Sequence, residues 1–247
     1  MALTRLTSLA PRGGCALWLI ALDAPLCPGD TAMLAPDERQ RADRFVFAVD
    51  RQRFIAARSA LREVLGRAVG SDPSRIGFDY GAAGKPQLRG AMHLPFNLSH
   101  SGPVGLLAVA TDGPDAVGVD IELLRDVPDA MQLAQSTFDP HECAELGAID
   151  VARRPAGFLA GWTRREAGLK AAGTGFSATH TPPPTGFAMG RSTVRWPGAL
   201  QARGTFATIE TFALPEVNAV ASVARLRAAP DEPATALARR TAMQELA

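Results

Sequence analysis

The segment VGLLAVATDGPDAVGVDIEL, Val104 to Leu123, contains two runs rich in valine, leucine and isoleucine. The letters DGPD between the runs are a strong turn signal. Both runs are therefore predicted to be strands, and the short turn predicts that they pair as a hairpin. Mixed helices and strands are predicted on either side, so we expect an α+β fold of two halves that meet near Asp112 to Asp115.

The elements predicted outward from this segment are of both kinds. Strands are predicted at residues 15–22, 75–80 and 95–101, and near 204–212 and 217–226. Helices are predicted as two segments within 36–70, and at 129–138, 140–149 and 154–173, the last ending at Gly173. The expected organisation is an N-terminal half at 1–113, a C-terminal half at 114–228 and a loosely attached tail at 229–247.

Composition and charge narrow the class of protein. The 247 residues are 47% apolar and have a formal net charge of +1, which argues against a general nucleic-acid binder because such proteins are clearly basic. The scattered cysteines, Cys15, Cys27 and Cys143, indicate neither a disulfide framework nor a zinc site. The apolar run at 15–22 is too short to span a bilayer and is predicted to be a buried strand rather than a signal sequence. We expect a cytoplasmic protein that binds neither membrane nor nucleic acid.

The strand VGVDIE, Val117 to Glu122, places two carboxylates on one face. Side chains alternate along a strand, so Gly118, Asp120 and Glu122 share the face opposite the two valines and the isoleucine. Carboxylates about 6 to 7 Å apart repel each other unless a cation lies between them, and Mg²⁺ is the usual cation where phosphates complete the shell. Gly118 is predicted to leave room for a ligand. Taken alone, the pattern fits an ordinary half-buried strand better than a metal site.

The helical segment WTRREAGLK, Trp162 to Lys170, carries a carboxylate inside its apolar stripe. At about 100° per residue, Glu166 falls roughly 80° from Phe158, within the apolar arc, and Lys170 falls at the edge of that arc. An ordinary surface Glu–Lys pair would lie opposite the stripe. Because burying a lone carboxylate is costly, Glu166 is predicted to face a cation shared with the two strand carboxylates. Gly168, inside the helix, is predicted to let a neighbour approach closely.

Two further motifs indicate phosphate contacts. In NLSHS, Ser99 and His100 are adjacent on a strand and point to opposite faces, so they cannot form a nucleophile–base pair with each other. Both can bind phosphate oxygens, although a lone histidine is as often structural. The segment GAAGKP has the wrong spacing for a P-loop, and Pro86 stands where a serine or threonine is needed. Lys85 is predicted to be a mobile cation on a turn, suited to a phosphate.

Taken together, GKP, FNLSHS, GVDIE and WTRREAGLK resemble the motifs of the 4′-phosphopantetheinyl transferases in order and spacing, and match the long, surfactin-type (Sfp-type) branch. The resemblance covers Asp37 to Phe176 well and the rest loosely. It implies an α+β pseudo-dimer of two similar halves, each a small antiparallel sheet packed against helices. It also implies that the active site lies in the cleft between the halves and that the chain is a monomer.

The resemblance also implies a reaction. Coenzyme A, as co-substrate, would donate 4′-phosphopantetheine to a serine of an apo acyl or peptidyl carrier protein and release adenosine 3′,5′-bisphosphate. Magnesium would be required, with Mn²⁺ as an alternative. The carrier would serve fatty acid, polyketide or nonribosomal peptide synthesis.

Roles for individual residues follow from the same resemblance. Asp120, Glu122 and Glu166 resemble the acidic trio that binds the metal, and Lys170 resembles the lysine that steadies the pyrophosphate. Glu166 is the candidate base, directly or through a water on the metal, and Lys170 and His100 are the other candidate catalytic residues. The expected contacts to coenzyme A are Arg41, Arg44, Arg53, Lys85, Ser99, His100, Arg165 and Lys170.

The sequence departs from the family pattern at two positions. The family usually has lysine where this chain has Arg165, which predicts an altered phosphate contact because arginine differs in reach and donor geometry. Glu38 lies where a cation is expected, which leaves the 3′-phosphate contacts less well matched.

Other functions compete with the transferase. A different Mg²⁺-dependent phosphoester enzyme, such as a nucleotide hydrolase, would explain the carboxylates and basic groups but not four motifs in register. A non-catalytic module could instead bind acidic carriers through the arginine-rich helices between Arg39 and Arg67. Interspersed acidic residues also fit an ordinary solvated face there.

Overall fold

The computed structural model describes residues 5–81, 83–90, 93–113, 115–175, 182–197 and 205–228. The strands are β1 (Leu6–Arg12), β2 (Cys15–Ala21), β3 (Phe78–Tyr80), β4 (Pro86–Leu88), β5 (Phe96–Ser101), β6 (Val104–Ala110), β7 (Ala116–Leu123), β8 (Gly190–Arg195), β9 (Thr205–Leu214) and β10 (Ala219–Ala228). The helices are α1 (Pro28–Ala32), α2 (Pro36–Asp43), α3 (Ala48–Val69), α4 (Ala130–Thr137), α5 (Pro140–Ala148) and α6 (Arg154–Ala172). The predicted tail, 229–247, lies outside the described residues.

Two four-stranded antiparallel sheets form the centre of the fold. The first has the order β1-β2-β6-β5 and the second the order β7-β10-β9-β8, while β3 and β4 form a separate two-stranded ribbon. The sheets pack face to face, with Leu17 and Leu106 of the first sheet in one fully buried cluster with Val119, Ile121 and Val223 of the second. The predicted α+β class, with antiparallel sheets packed against helices, is confirmed.

One long helix covers the outer face of each sheet. Helix α3 contributes Ala60, Leu61 and Leu65 to a cluster with strands of the first sheet, and α6 contributes Ala167 and Leu169 to a cluster with strands of the second. Helix α6 ends at Gly173, which has a left-handed φ of 70° and donates its N–H to the carbonyl of Leu169. The predicted end of this helix is confirmed, and it follows the common glycine C-cap pattern. The layers therefore run helix, sheet, sheet, helix.

The predicted hairpin of β6 and β7 is wrong. Strand β6 lies between β2 and β5, whereas β7 pairs with β10. The turn after β6 therefore carries the chain from one sheet into the other, and the hairpin partner of β6 is β5. The reason is burial: all seven residues of β6 are buried, as in a central strand with neighbours on both edges.

Four elements had no prediction, and one of them is the three-residue strand β4. Strands β1 and β8 are edge strands whose side chains are mostly exposed or half-buried, so they lack an alternating apolar pattern. Helix α1 has only five residues. No helix in the described segments is both long and apolar enough to cross a membrane.

Candidate active site

Six of the eleven predicted site residues meet at one cavity between the two halves. The cavity has a volume of about 320 Å³ and is formed by β5 from the first sheet with β7 and α6 from the second half. Its lining residues are Leu98, Ser99, His100, Asp120, Glu122, Trp162, Glu166 and Lys170. The sequence had singled out six of these eight as site candidates, all but Leu98 and Trp162.

Alternate side chains of β5 hold β7 in register across the seam between the sheets. The Oδ1 of Asn97 accepts the N–H of Val119 at 2.8 Å. The hydroxyl of Ser99 donates to Asp120 Oδ1 at 2.8 Å, and that of Ser101 donates to Glu122 Oε2 at 2.9 Å. Side-chain oxygens thus bind the edge of β7, and they fix both strand carboxylates of the cavity.

Lys170 extends from α6 to the same carboxylate. Its Nζ lies 2.6 Å from Asp120 Oδ1 and 2.9 Å from Ser99 Oγ. Its own helical neighbour Glu166 is farther away, at 4.0 Å from Nζ to Oε2. The second oxygen of Asp120, Oδ2, is buried and has no hydrogen-bond partner within the described structure. A buried carboxylate oxygen without a hydrogen-bond donor costs free energy. A bound cation could provide the partner that this oxygen lacks.

The pKa values of all three carboxylates are raised, and burial is the main cause. Burial raises the pKa of Asp120, with Lys170 opposing the shift. Burial and the nearby charge of Asp120 raise the pKa of Glu122. Burial also raises the pKa of Glu166, and the charges of both other carboxylates add to the rise. The three ionised carboxylates therefore repel one another. A cation shared by all three would reduce this repulsion.

As they stand, the carboxylates do not form a ready-made metal cluster. No group of three His, Cys, Asp or Glu side chains among the described residues is close enough to hold an ion. Lys170 takes the place of a cation at Asp120 Oδ1. The structure brings the predicted trio to one cavity but does not gather it around one point.

His100 lines the cavity, and the charge of Arg53 acts on it. The residue is partly open to solvent, but partial burial of its imidazole, together with the positive charges of Lys170 and Arg53, lowers the pKa of His100. Its imidazole is therefore mostly neutral at pH 7. Arg53 is held by Asp23, whose two oxygens lie 2.6 and 2.9 Å from its Nε and Nη2.

Comparison with known proteins gives two family matches and several similar proteins. A family described as "4'-phosphopantetheinyl transferase, N-terminal" matches residues 29–112, and the "4'-phosphopantetheinyl transferase superfamily" matches residues 116–206. The 4'-phosphopantetheinyl transferase HetI of Nostoc sp. is 39% identical over 166 residues, which cover 65% of this chain and 69% of HetI.

The chain belongs to the 4′-phosphopantetheinyl transferase family.

Two further relatives carry the same name. A putative 4'-phosphopantetheinyl transferase of Synechocystis sp., slr0495, is 38% identical over 163 residues, covering 65% of each protein. Sfp of Bacillus subtilis is 28% identical over 162 residues, covering 64% of this chain and 70% of Sfp. The match therefore spans about two thirds of these relatives. The family predicted from the four motifs, an enzyme family, is confirmed.

Within this phosphopantetheinyl transferase fold, Arg165 is not at the cavity. Its guanidinium is buried, donates to Glu142 Oε2 at 2.6 Å and to the carbonyl of Thr137, and lies 4.7 Å from the ring centre of Phe138. The predicted phosphate contact of Arg165 is wrong in this structure. One residue along a helix is a turn of about 100°, and that turn directs Arg165 to α4 and α5 while Glu166 faces the cavity.

The two glycines near the site admit protein atoms rather than a ligand. A Cβ added to Gly118 would lie 2.0 Å from the carbonyl oxygen of Ala167 and 2.3 Å from the nitrogen of Ala171. The prediction that Gly118 leaves room for a ligand is therefore wrong, because the backbone of α6 fills that space. A Cβ on Gly168 would lie 2.2 Å from the ring of Trp196. Both glycines allow α6 to lie tightly against its neighbours.

Arg41 and Arg44 lie at the end of α2, away from the cavity lining. Both are exposed, and the guanidinium of Arg41 lies 5.3 Å from the ring centre of Phe54. The structure gives neither of them a contact with the lining residues.

Lys85 is not a mobile surface cation in this structure. Its Nζ donates to the carbonyls of Val117 at 2.7 Å, Lys170 at 2.6 Å and Ala171 at 3.5 Å. Burial lowers the pKa of Lys85 to about 8. The lysine therefore ties the β3–β4 ribbon to β7 and α6, and a phosphate contact would require it to leave these carbonyls.

Replacing Lys85 with methionine separates these two roles. We expect the free energy of unfolding to fall by about 1 to 3 kcal/mol, because buried carbonyls lose a charged donor. Urea denaturation measures this change. The matched control is Arg89→Met on the same ribbon, whose ion pair with Asp79 is exposed and contributes little. Unchanged stability with a raised KM for coenzyme A would instead assign Lys85 to the phosphate.

Proposed function

We propose that this protein transfers 4′-phosphopantetheine from coenzyme A to a serine of an apo acyl or peptidyl carrier protein and releases adenosine 3′,5′-bisphosphate. The observation that supports this best is the meeting of Ser99, Asp120, Glu166 and Lys170, from three separate motifs, at one cavity between the halves. Both sheets that flank the cavity come from one chain, which supports a monomer as the active form. We propose that it acts in the cytoplasm.

We propose a divalent cation, Mg²⁺ or Mn²⁺, as the resident cofactor, held by Asp120, Glu122 and Glu166. The donor chemistry fits, because all three ligands are carboxylate oxygens. The buried, unpartnered Oδ2 of Asp120 and the mutual repulsion of the carboxylates also support such an ion. When bound, the ion would neutralise negative charge on the pyrophosphate oxygens.

The residues around the cavity have separate roles in the proposed reaction. Lys170 Nζ, oriented by Ser99 and Asp120, provides positive charge where the pyrophosphate develops negative charge. Neutral His100 donates one hydrogen bond to a phosphate oxygen, and Ser99 is placed to contact another. Arg53, fixed by Asp23, offers a planar guanidinium to the nucleotide phosphates. Arg41 and Arg44 remain proposed phosphate contacts, although neither lines the cavity.

The proposed step is a single phosphoryl substitution. The carrier serine oxygen forms a bond to the phosphorus next to pantetheine. The bond from that phosphorus to the oxygen it shares with the nucleotide phosphate breaks, and the electron pair leaves with adenosine 3′,5′-bisphosphate. Glu166 accepts the serine proton, directly or through a water. Its raised pKa makes Glu166 a stronger base than an ordinary carboxylate.

Mass spectrometry of apo carrier proteins tests the proposal. Incubation with the protein, coenzyme A and Mg²⁺ should add the mass of one phosphopantetheinyl group to each accepted carrier. A carrier with its acceptor serine replaced by alanine should gain nothing, and neither should a reaction that contains a chelator. Phosphate release from coenzyme A without any carrier would favour a hydrolase. Carrier binding without any mass gain would favour a non-catalytic module.

A further inference from the structure

A second cavity lies between the two halves and is larger than the catalytic one, at about 500 Å³. The first half contributes β4 and the segment 93–96, which leads into β5, and the second half contributes the start of β7 and the end of β10. The two cavities have no lining residue in common among the described residues. Cavities of roughly 300 to 1,000 Å³ are the usual size of small-molecule sites. We name this one the second cavity.

Most of the wall of the second cavity is apolar and is held in place by the core. Phe96, Val117 and Leu226 line the cavity, are buried, and belong to three different core clusters. Leu88 and Leu94 also line it and pack against the same cluster as Phe96. Because these side chains are fixed by packing behind them, the cavity is built into the fold. Its wall favours a ligand with an apolar body.

The charged groups at the second cavity favour an anion. Asp115 is the one carboxylate among its described lining residues, and it is already neutralised. Its Oδ2 accepts the Nε of Arg227 at 2.7 Å and lies 3.2 Å from Nη2 of Arg225. Lys85 adds a further positive charge, because its ammonium is bonded to backbone carbonyls, which carry no net charge. The lining therefore carries more positive than negative charge.

We propose that the second cavity is a binding site for a small organic anion with an apolar body, the class that straight-chain carboxylates represent. The anionic group would lie at Arg227, whose side chain is 65% exposed beside its pair with Asp115. A guanidinium has five N–H donors in a fork that matches a carboxylate. The apolar body would lie against Phe96, Val117 and Leu226. This inference does not require the proposed function.

Calorimetric titration of the full chain with decanoate tests the charge of the site. We expect saturable one-to-one binding, whereas decylammonium, which has the same chain and the opposite charge, should not bind. Arg227→Gln should raise the Kd for decanoate about tenfold or more, the usual effect of losing a hydrogen bond to a charged group. The matched control is Arg191→Gln, which removes another exposed arginine of the second sheet, paired with Glu210 at 3.1 Å, and should leave the Kd unchanged.

The limited volume of the second cavity gives a further test. Each methylene group that is buried should lower the Kd roughly fourfold. In a series of carboxylates from hexanoate upward, the Kd should therefore fall with chain length and stop falling once the chain fills the cavity. A Kd that falls with every added methylene, without a limit, would place the chain on an open surface instead.

Four other results would overturn the second site. They are the absence of any carboxylate binding, equal binding of decanoate and decylammonium, an unchanged Kd in the folded Arg227→Gln variant, and competitive displacement of decanoate by coenzyme A. The last result would place decanoate in the catalytic cavity. All these measurements are made without a carrier protein, so they are independent of transfer. A protein that binds decanoate as expected but modifies no carrier refutes only the proposed function.

Discussion

Asp120→Asn is expected to reduce phosphopantetheine transfer by a factor on the order of 10² to 10³ or more, the usual cost of removing one electrostatic contact to the reacting group. The substitution keeps the shape of the side chain and removes its charge. The amide oxygen can still accept a hydrogen bond from Lys170 Nζ, which lies 2.6 Å from Asp120 Oδ1, but the negative charge that pairs with the ammonium is gone. The proposed cation loses the one ligand oxygen that is buried without a partner.

The same substitution should leave the protein at least as stable at neutral pH. Burial raises the pKa of Asp120 in the folded protein, so the proton binds more tightly to the folded than to the unfolded chain. A carboxyl group whose pKa is raised on folding lowers the free energy of unfolding when it is ionised. This loss of stability is fully present at pH values above the pKa of the folded state. Removing the charge therefore removes a penalty, and Lys170 is exposed enough to be hydrated.

Three measurements check this prediction together. They are the transfer rate by mass spectrometry, the melting temperature, and Mn²⁺ binding to the protein without coenzyme A, which should be lost in Asp120→Asn. Asp79→Asn is the matched control, because Asp79 is exposed and pairs only with a neighbour on its own ribbon. Transfer within a factor of about ten of the wild type would contradict the assignment, since a contact to the reacting group costs more. A rate loss that follows a large fall in melting temperature would show a structural role instead.

The alternation of VGVDIE predicted correctly which residues of β7 share a face. Val117, Val119 and Ile121 are fully buried between the sheets, while Asp120 and Glu122 line the cavity. The apolar stripe of α6 likewise predicted that Glu166 faces inward. Periodicity works for these two elements because each packs its apolar side chains into a large, continuous core.

Contacts that depend on tertiary pairing could not be predicted in this way. The turn DGPD has the local chemistry of a hairpin, but local chemistry does not reveal that β10 pairs with β7. Lys85 and Gly118 were interpreted as ligand contacts because their actual neighbours, the carbonyls and backbone of α6, are distant in sequence. The pattern of Asn97, Ser99 and Ser101 on alternate positions of β5 was visible, and it is the signal that could have indicated the seam to β7.

Two arginines of the arginine-rich helices, Arg58 and Arg62, are committed to the fold, and Glu38 is the reason. Glu38 is 3% exposed. It accepts the Nε of Arg58 at 2.5 Å, the Nε of Arg62 at 2.7 Å and the N–H of Ala35 at 2.9 Å. Arg62 also donates to two carbonyls. The acidic residue found where the family pattern suggests a cation therefore neutralises two buried arginines, which cannot serve as a carrier surface.

Glu38→Ala is accordingly expected to lower the free energy of unfolding by about 3 to 5 kcal/mol, because it leaves buried charges without a partner. Urea denaturation measures the loss, and Asp43→Ala, which removes an exposed partner of Arg51, should cost less than about 1 kcal/mol. Transfer per folded molecule should be unchanged in Glu38→Ala, since Glu38 contacts α3 and not the cavity. A cost below about 1 kcal/mol would mean that the two guanidinium groups are compensated elsewhere. A selective rise in the KM for coenzyme A would instead place Glu38 in the nucleotide site, where the sequence alone had expected a cation.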